Sequence, residues 1–285
     1  MRVPIGVNSP IVTQVPGAHS PWEVDAGIDD LARIAVAADQ LGFDHLTCSE
    51  HVAVPVAVAD ERGGTYWDPL ATFGFLAART ERIRLATQVL VLGYHHPLEI
   101  AKRYGTLDAI SGGRLVLGVG VGSLESEFDL LGASFADRGV RADDSLRALR
   151  AVLSSERPEY HGVHHDFSDI VVRPAAMAAR VPIWVGGRTG RSLRRAVELG
   201  DGWMPFGLGS RRLREMLDIT DRRDGFDVVL AAGTVDPMAE PEAAHEAVAR
   251  MVEAGATIVD ITIRASSADH YLEQLEAAAE LFETN

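Results

Sequence analysis

Cysteine is almost missing from this chain: of 285 residues, only Cys48 carries a thiol. An intrachain disulfide is therefore excluded, and so is a metal site built from several thiolates. Lysine is equally scarce, with Lys102 alone. The remaining positive charge is arginine, and 41 acidic residues outweigh 27 basic ones to give a formal net charge of -14. So acidic a balance argues against nucleic acid or an anionic membrane as a partner. No apolar run approaches the ~18 residues of a membrane-spanning helix. The opening MRVPIGVNSP also lacks the apolar centre of a secretory signal. The expectation is a soluble, cytoplasmic protein.

What is present is enough apolar residue for a large core. Hydrophobic residues make up 47% of the chain, and mean hydropathy is +0.04, which suits a folded domain rather than disorder. No linker, low-complexity run or strong sequence repeat divides it, so one domain over residues 1–285 is expected. What recurs is alternation of strand and helix. The stretch from Ile83 to Glu127 shows it best: a β-branched run, a polar turn, an amphipathic helix, then a second β-branched run ending in glycines. Such alternation is the mark of parallel βαβ units, whose chemistry sits just after the strands.

Strands are expected at Arg2 to Val7, Phe43 to Cys48, Ile83 to Leu90, Leu115 to Val119, Pro182 to Val185, Trp203 to Phe206, Val228 to Ala231 and Ile258 to Ile263. Helices alternate with them, and Asp68-Pro69 reads as an N-cap followed by a first-turn proline. About eight units in this length predict a (β/α)8 TIM barrel, with insertions after strands two, four and seven. A doubly wound open sheet is the competing arrangement.

Several segments bear on candidate chemistry. Ser49-Glu50-His51 falls at the end of strand two, where a histidine could exchange a proton near neutral pH beside a carboxylate; a polar surface loop is the plainer alternative. Gln88-Val89 closes strand three and carries no signal by itself. Gly118, Gly120 and Gly122 end strand four, clearing side chains so that a flat ring or a backbone can approach. Tight packing without a ligand would leave the same pattern. Gly186-Gly187-Arg188-Thr189 opens a helix after strand five and suits a phosphate, although it does not match the P-loop pattern. His161, His164, His165 and Asp166 lie in a polar insertion over Glu156 to Pro174, away from the strand ends, and read as surface rather than as metal ligands. His95-His96 stands at a helix entrance above strand three, open to either a pocket or a loop role.

The order and wording of these segments add what spacing does not. The chain runs D-P-L-A-T-F-G-F-L-A-A-R-T-E-R-I-R-L-A-T-Q-V-L, then H-P-L-E-I-A-K, then L-D-A-I-S-G-G-R-L-V-L-G-V-G-V-G, then P-I-W-V-G-G-R-T and G-D-G-W-M-P. Together they resemble the bacterial-luciferase-like family of flavin- and deazaflavin-dependent oxidoreductases over nearly the whole chain, most of all its branch that uses coenzyme F420. The resemblance implies a (β/α)8 barrel, a ring site at its C-terminal mouth, and a homodimer. It implies a non-prolyl cis peptide between Gln88 and Val89 as the wall behind the ring. It also implies that Gly120, Val121 and Gly122 flank the ring, and that Gly186, Gly187, Arg188 and Thr189 hold the coenzyme phosphate. His51 would manage the proton, and Glu50 would bind the ring or position His51. The family's sugar-phosphate dehydrogenases carry a glutamate where Ser123 stands, which weakens a sugar-phosphate assignment.

The expected function is F420-dependent hydride transfer to or from a small organic substrate. An FMNH2-dependent monooxygenase and a non-catalytic coenzyme-binding protein are the alternatives. A metal-dependent barrel hydrolase fits poorly, since strand one ends in Asn8 and Ser9 rather than in ligand histidines.

Overall fold

Eight short apolar segments pair side by side in a computed structural model that describes residues 3–284. They are β1 (Ile5–Val7), β2 (His45–Cys48), β3 (Arg84–Thr87), β4 (Leu115–Gly120), β5 (Ile183–Gly186), β6 (Gly202–Met204), β7 (Asp227–Val235) and β8 (Ile258–Ile263). All pair in parallel and in sequence order, and β8 returns to β1 with Val259 opposite Ile5. With β4 joined to β5, Leu117 opposite Ile183, the ring is closed and no strand edge is left open. This is the (β/α)8 barrel. The first strand was expected from Arg2, which lies outside the described residues. Strand six stops at Met204 rather than Phe206, because Pro205 has no N–H to donate to a ladder.

A helix follows each strand: α1 (Ile28–Gln40), α2 (Pro69–Ala77), α3 (Pro97–Ser111), α4 (Arg138–Val152), α5 (Gly190–Leu199), α6 (Ser210–Asp218), α7 (Pro241–Glu253) and α8 (Ala268–Phe282). Their starts are chemically specified. The Asp68 carboxylate accepts the Ala71 N–H at 2.8 Å, and Thr189 and Ser267 cap α5 and α8 in the same way. Among the described residues no helix is long and apolar enough to cross a membrane.

Two of the three expected insertions are present. After β2 the chain forms a short helix, Val56–Arg62, and a strand Thr65–Tyr66 that pairs antiparallel with Thr13–Gln14. After β4 comes the helix Glu125–Leu130, and beyond α4 a hairpin of Tyr160–His161 with Asp166–Phe167. That hairpin hangs on Asp144 of α4, which accepts the N–H groups of His164 and His165 at 2.8 and 3.0 Å. An insertion after strand seven is absent. Residues 236–240 pass directly into α7, and the extra length lies in β7 itself, where the register shifts between Ala231 and Gly233.

The barrel interior holds a small apolar cluster of Ala86, Val116, Trp184, Met204, Val229 and Ile258. Beside it His45 is fully buried between two carboxylates, with Nδ1 2.7 Å from Asp44 Oδ2 and Nε2 3.0 Å from Asp260 Oδ1. The second contact is off the N–H axis and acts through charge. Gly6 makes room for the pair, since a Cβ there would lie 2.2 Å from His45 Cε1. Burial opposes the imidazolium, but Asp260 and then Asp44 outweigh it and hold its pKa at about 9. A pKa raised by folding contributes stability that is full below the unfolded value near 6.5 and fades as pH rises through about 9. Urea unfolding should therefore show a loss on the order of 3 kcal/mol between pH ~6.5 and ~9.5. His45→Asn should flatten that limb. Cys48 adds a smaller loss at the top of this range, because burial pushes its thiol up to about 12 while the unfolded thiol ionises near 9, so the His45→Asn comparison isolates the histidine. Equal stability at both ends of the range would refute the assignment.

Candidate active site

A cavity of about 740 Å³ opens at the C-terminal ends of the strands, where backbone leaves the barrel and loops begin. The structure brings every sequence-expected site residue to its wall: Glu50 and His51 after β2, Gln88 and Val89 after β3, Gly120 to Gly122 at the end of β4, and Gly186 to Thr189 after β5.

The back wall is the 88–89 peptide, which is cis. Beyond it the chain resumes as Leu90–Val91 and pairs with β4, Leu90 opposite Val119. Both ends of this wall are tied down. Ser49 Oγ donates to the Gln88 carbonyl at 2.8 Å, and Gln88 Nε2 donates to Asp260 Oδ2 at 3.2 Å. Val89 packs on the apolar cluster inside the barrel.

The glycines of β4 receive this wall. A Cβ on Gly120 would lie 2.6 Å from Val89 Cγ2, and one on Gly186 would lie 2.9 Å from Val89 Cγ1. Gly122 has φ +78° and faces Phe128 and Val91. The missing side chains thus let backbone and the Val89 bulge close together, while the glycines still border the cavity.

Glu50 does not position His51, contrary to expectation. Its Oε2 accepts the Val91 N–H at 2.7 Å and its Oε1 lies 2.6 Å from His95 Nε2, so it pins the far end of the wall. His51 is held instead by Glu127, whose Oε2 accepts Nδ1 at 2.6 Å. The Tyr94 hydroxyl donates to the same oxygen at 2.7 Å, and the N–H groups of Val52 and Ala53 donate to the other at 2.6 and 3.1 Å. Burial opposes ionisation of this fully buried carboxyl, but the bonds from Tyr94, Ala53 and His51 prevail and hold its pKa below the usual range. With its Nδ1 proton committed to Glu127, His51 keeps Nε2 for exchange. Tyr66 braces the ring edge-on at 4.5 Å.

With this geometry in place, a family can be assigned. The sequence profile of the luciferase-like monooxygenases matches residues 5–284. The chain belongs to that family. An uncharacterised protein of Mycobacterium tuberculosis is 31% identical over 187 residues, which cover 61% of this chain and 64% of that one. The 4-hydroxyprotoasukamycin monooxygenase of Streptomyces nodosus subsp. asukaensis is 38% identical over 120 residues, covering 42% and 30%. An F420-dependent glucose-6-phosphate dehydrogenase of Microbacterium testaceum is 30% identical over 184 residues, covering 62% and 52%. The matches thus span less than two thirds of these relatives. The crystal structure of monooxygenase RslO1 from Streptomyces bottropensis superimposes with a TM-score of 0.80 over 97% of this chain and 98% of that one, at 21% identity.

In this luciferase-like chain part of the cavity wall is cationic. Arg138, Arg188, Arg191 and Arg195 border it near the N-terminus of α5. Arg195 and Arg191 share Asp143, whereas Arg188 has no carboxylate partner among the described residues and lies 5.7 Å from the centre of the Phe206 ring. Gly187, at φ +127°, shapes the turn into α5, and a Cβ there would meet Ser192 at 2.8 Å. The sequence reading missed Glu127, Tyr94 and Tyr66 as parts of the site.

Proposed function

We propose that this luciferase-like oxidoreductase uses coenzyme F420 to move hydride to or from a small organic substrate in the main cavity. The observation that carries the reading is His51, locked through Nδ1 by the ionised Glu127, in the wall of a cavity that arginines also line. The residues fit a deazaflavin. The Gln88–Val89 wall, closed against bare glycines, offers a flat back to a ring. The turn at Gly187 to Thr189, with the adjacent arginines, suits a phosphate and an anionic tail.

When bound, the deazaflavin supplies the hydride chemistry. The chain's own residues then have three tasks. His51 takes the hydroxyl proton of a substrate being oxidised, or returns one to a substrate being reduced. Glu127 holds the imidazole in the tautomer that leaves Nε2 free and stabilises its charged form. Ser49, Glu50 and Asp260 keep the wall fixed, so that positioning is not lost to loop motion.

The test is a titration with F420 monitored by its fluorescence. Saturable change at micromolar protein is expected, and Arg188→Ala should weaken binding about tenfold by removing an unpaired cation. Absence of any saturable change would overturn the F420 reading. Saturable FMN binding in its place, with oxygen consumed only when an organic substrate is present, would favour a monooxygenase like the Streptomyces relative.

A further inference from the structure

Beside the main cavity lies a second chamber of about 210 Å³, between the ends of β1, β2 and β8. The two share Thr13, Val15, Ser49 and Gln88 in their walls, so the chamber adjoins the back of the main cavity at Gln88. Its lining mixes polar and apolar groups, and among the described residues it includes no lysine or arginine.

Charge in the chamber is already committed. Glu23 is its one carboxylate, and both oxygens are taken by backbone: Oε1 by the Ser20 N–H at 2.7 Å and Oε2 by the Ile11 N–H at 2.8 Å. His19 Nδ1 lies 2.8 Å from the Val15 carbonyl, which requires the proton on that nitrogen. Three hydroxyls are in the opposite condition. Ser9 Oγ, Thr13 Oγ1 and the Tyr271 hydroxyl are buried with no partner among the described residues. Tyr271, from α8, is 1% exposed. Burial, and then the nearby Glu23, push its ionisation upward, so it remains a donor. Buried hydroxyls left unpaired cost about 1–3 kcal/mol each, and a small rotation of these side chains toward the chamber they line would let a visiting oxygen atom satisfy them.

We propose that this chamber is a substrate subsite for a neutral oxygen-bearing group, a hydroxyl, ketone or amide, on a small aliphatic body. A carboxylate or phosphate would find no cation there and would face Glu23. An ammonium would find only a carboxylate whose oxygens are already bonded. That the occupant is the substrate rests on the proposed hydride-transfer site; the chamber's preference for neutral oxygen does not, and it is measurable without coenzyme.

Ligand-observed NMR titrations with cyclohexanol, cyclohexanone, cyclohexanecarboxylate and cyclohexylammonium test it on the coenzyme-free protein. The two neutral probes should bind saturably and the two charged ones should not at equal concentration. Tyr271→Phe and Thr13→Val, which preserve volume and remove unpartnered hydroxyl groups, should each weaken cyclohexanol binding about tenfold. Their unfolding temperatures should hold or rise, which separates lost recognition from lost structure. Failure of either neutral probe to bind, charged probes binding as well as neutral ones, or unchanged affinity in both variants would overturn the proposal. A failed F420 titration would leave this result standing, so the two ideas fall separately.

Discussion

Glu127→Gln is expected to lower turnover of the proposed hydride-transfer reaction by about 10²-fold or more while affinity for the proposed coenzyme stays within about twofold. The amide keeps the volume and one acceptor oxygen, but it cannot stabilise the imidazolium that forms when His51 takes a proton. It can also turn its NH2 toward Nδ1 and invert the tautomer, leaving the lone pair on the wrong nitrogen. His51→Ala should cost ~10²–10⁴-fold, and the double variant should be little worse than His51→Ala, because the two residues act as one unit. Tyr94→Phe removes one bond to the same oxygen and should have a smaller effect. A Glu127→Gln protein that unfolds earlier but turns over normally would reduce Glu127 to an anchor for the loop after β2.

Why the sequence pointed to Glu50 in place of Glu127 has a simple geometric cause. Residues adjacent in an extended segment direct their side chains to opposite sides, so Glu50 and His51, neighbours in sequence, diverge in space. Glu50 goes to Val91 and His95, and His51 to Glu127, 76 positions away. A weak signal for Glu127 did exist. Leu124, Glu127 and Phe128 stand at i, i+3 and i+4, which puts a carboxylate on the buried face of a short helix. A charge in that position calls for partners. The barrel was legible because strand–helix alternation is local and repeats along the chain. The β7 bulge was not, since a register shift depends on the neighbouring strand and leaves no period of its own. Likewise the triple-glycine run was readable as a place of close approach, but the identity of what approaches, Thr87 and Val89, exists only once β3 lies beside β4.

That close approach makes Gly118→Ala the substitution with the largest expected effect on stability. A Cβ at Gly118 would lie 1.8 Å from the Thr87 carbonyl oxygen and 3.0 Å from Met204 Sδ. The first neighbour is backbone at the C-terminal end of β3, fixed further by the bond from Thr87 Oγ1 to the Gly118 carbonyl at 2.6 Å, so no side-chain rotation relieves the clash. Either β3 and β4 separate or the barrel loses its register. We expect a loss of about 3 kcal/mol or more in urea unfolding. Coenzyme affinity should fall with it even in protein that remains folded, because Thr87 leads directly into the Gln88–Val89 wall. Gly74→Ala is the control. Gly74 lies inside α2 with nothing within 4 Å of the added Cβ, and the helix should gain about 0.5–1 kcal/mol from the exchange. If Gly118→Ala unfolds within about 1 kcal/mol of the parent, β3 and β4 have slack that the barrel as described does not contain. The wall behind the ring would then be a movable element, and its support from Asp260, Ser49 and Glu50 would not fix the position of a bound coenzyme.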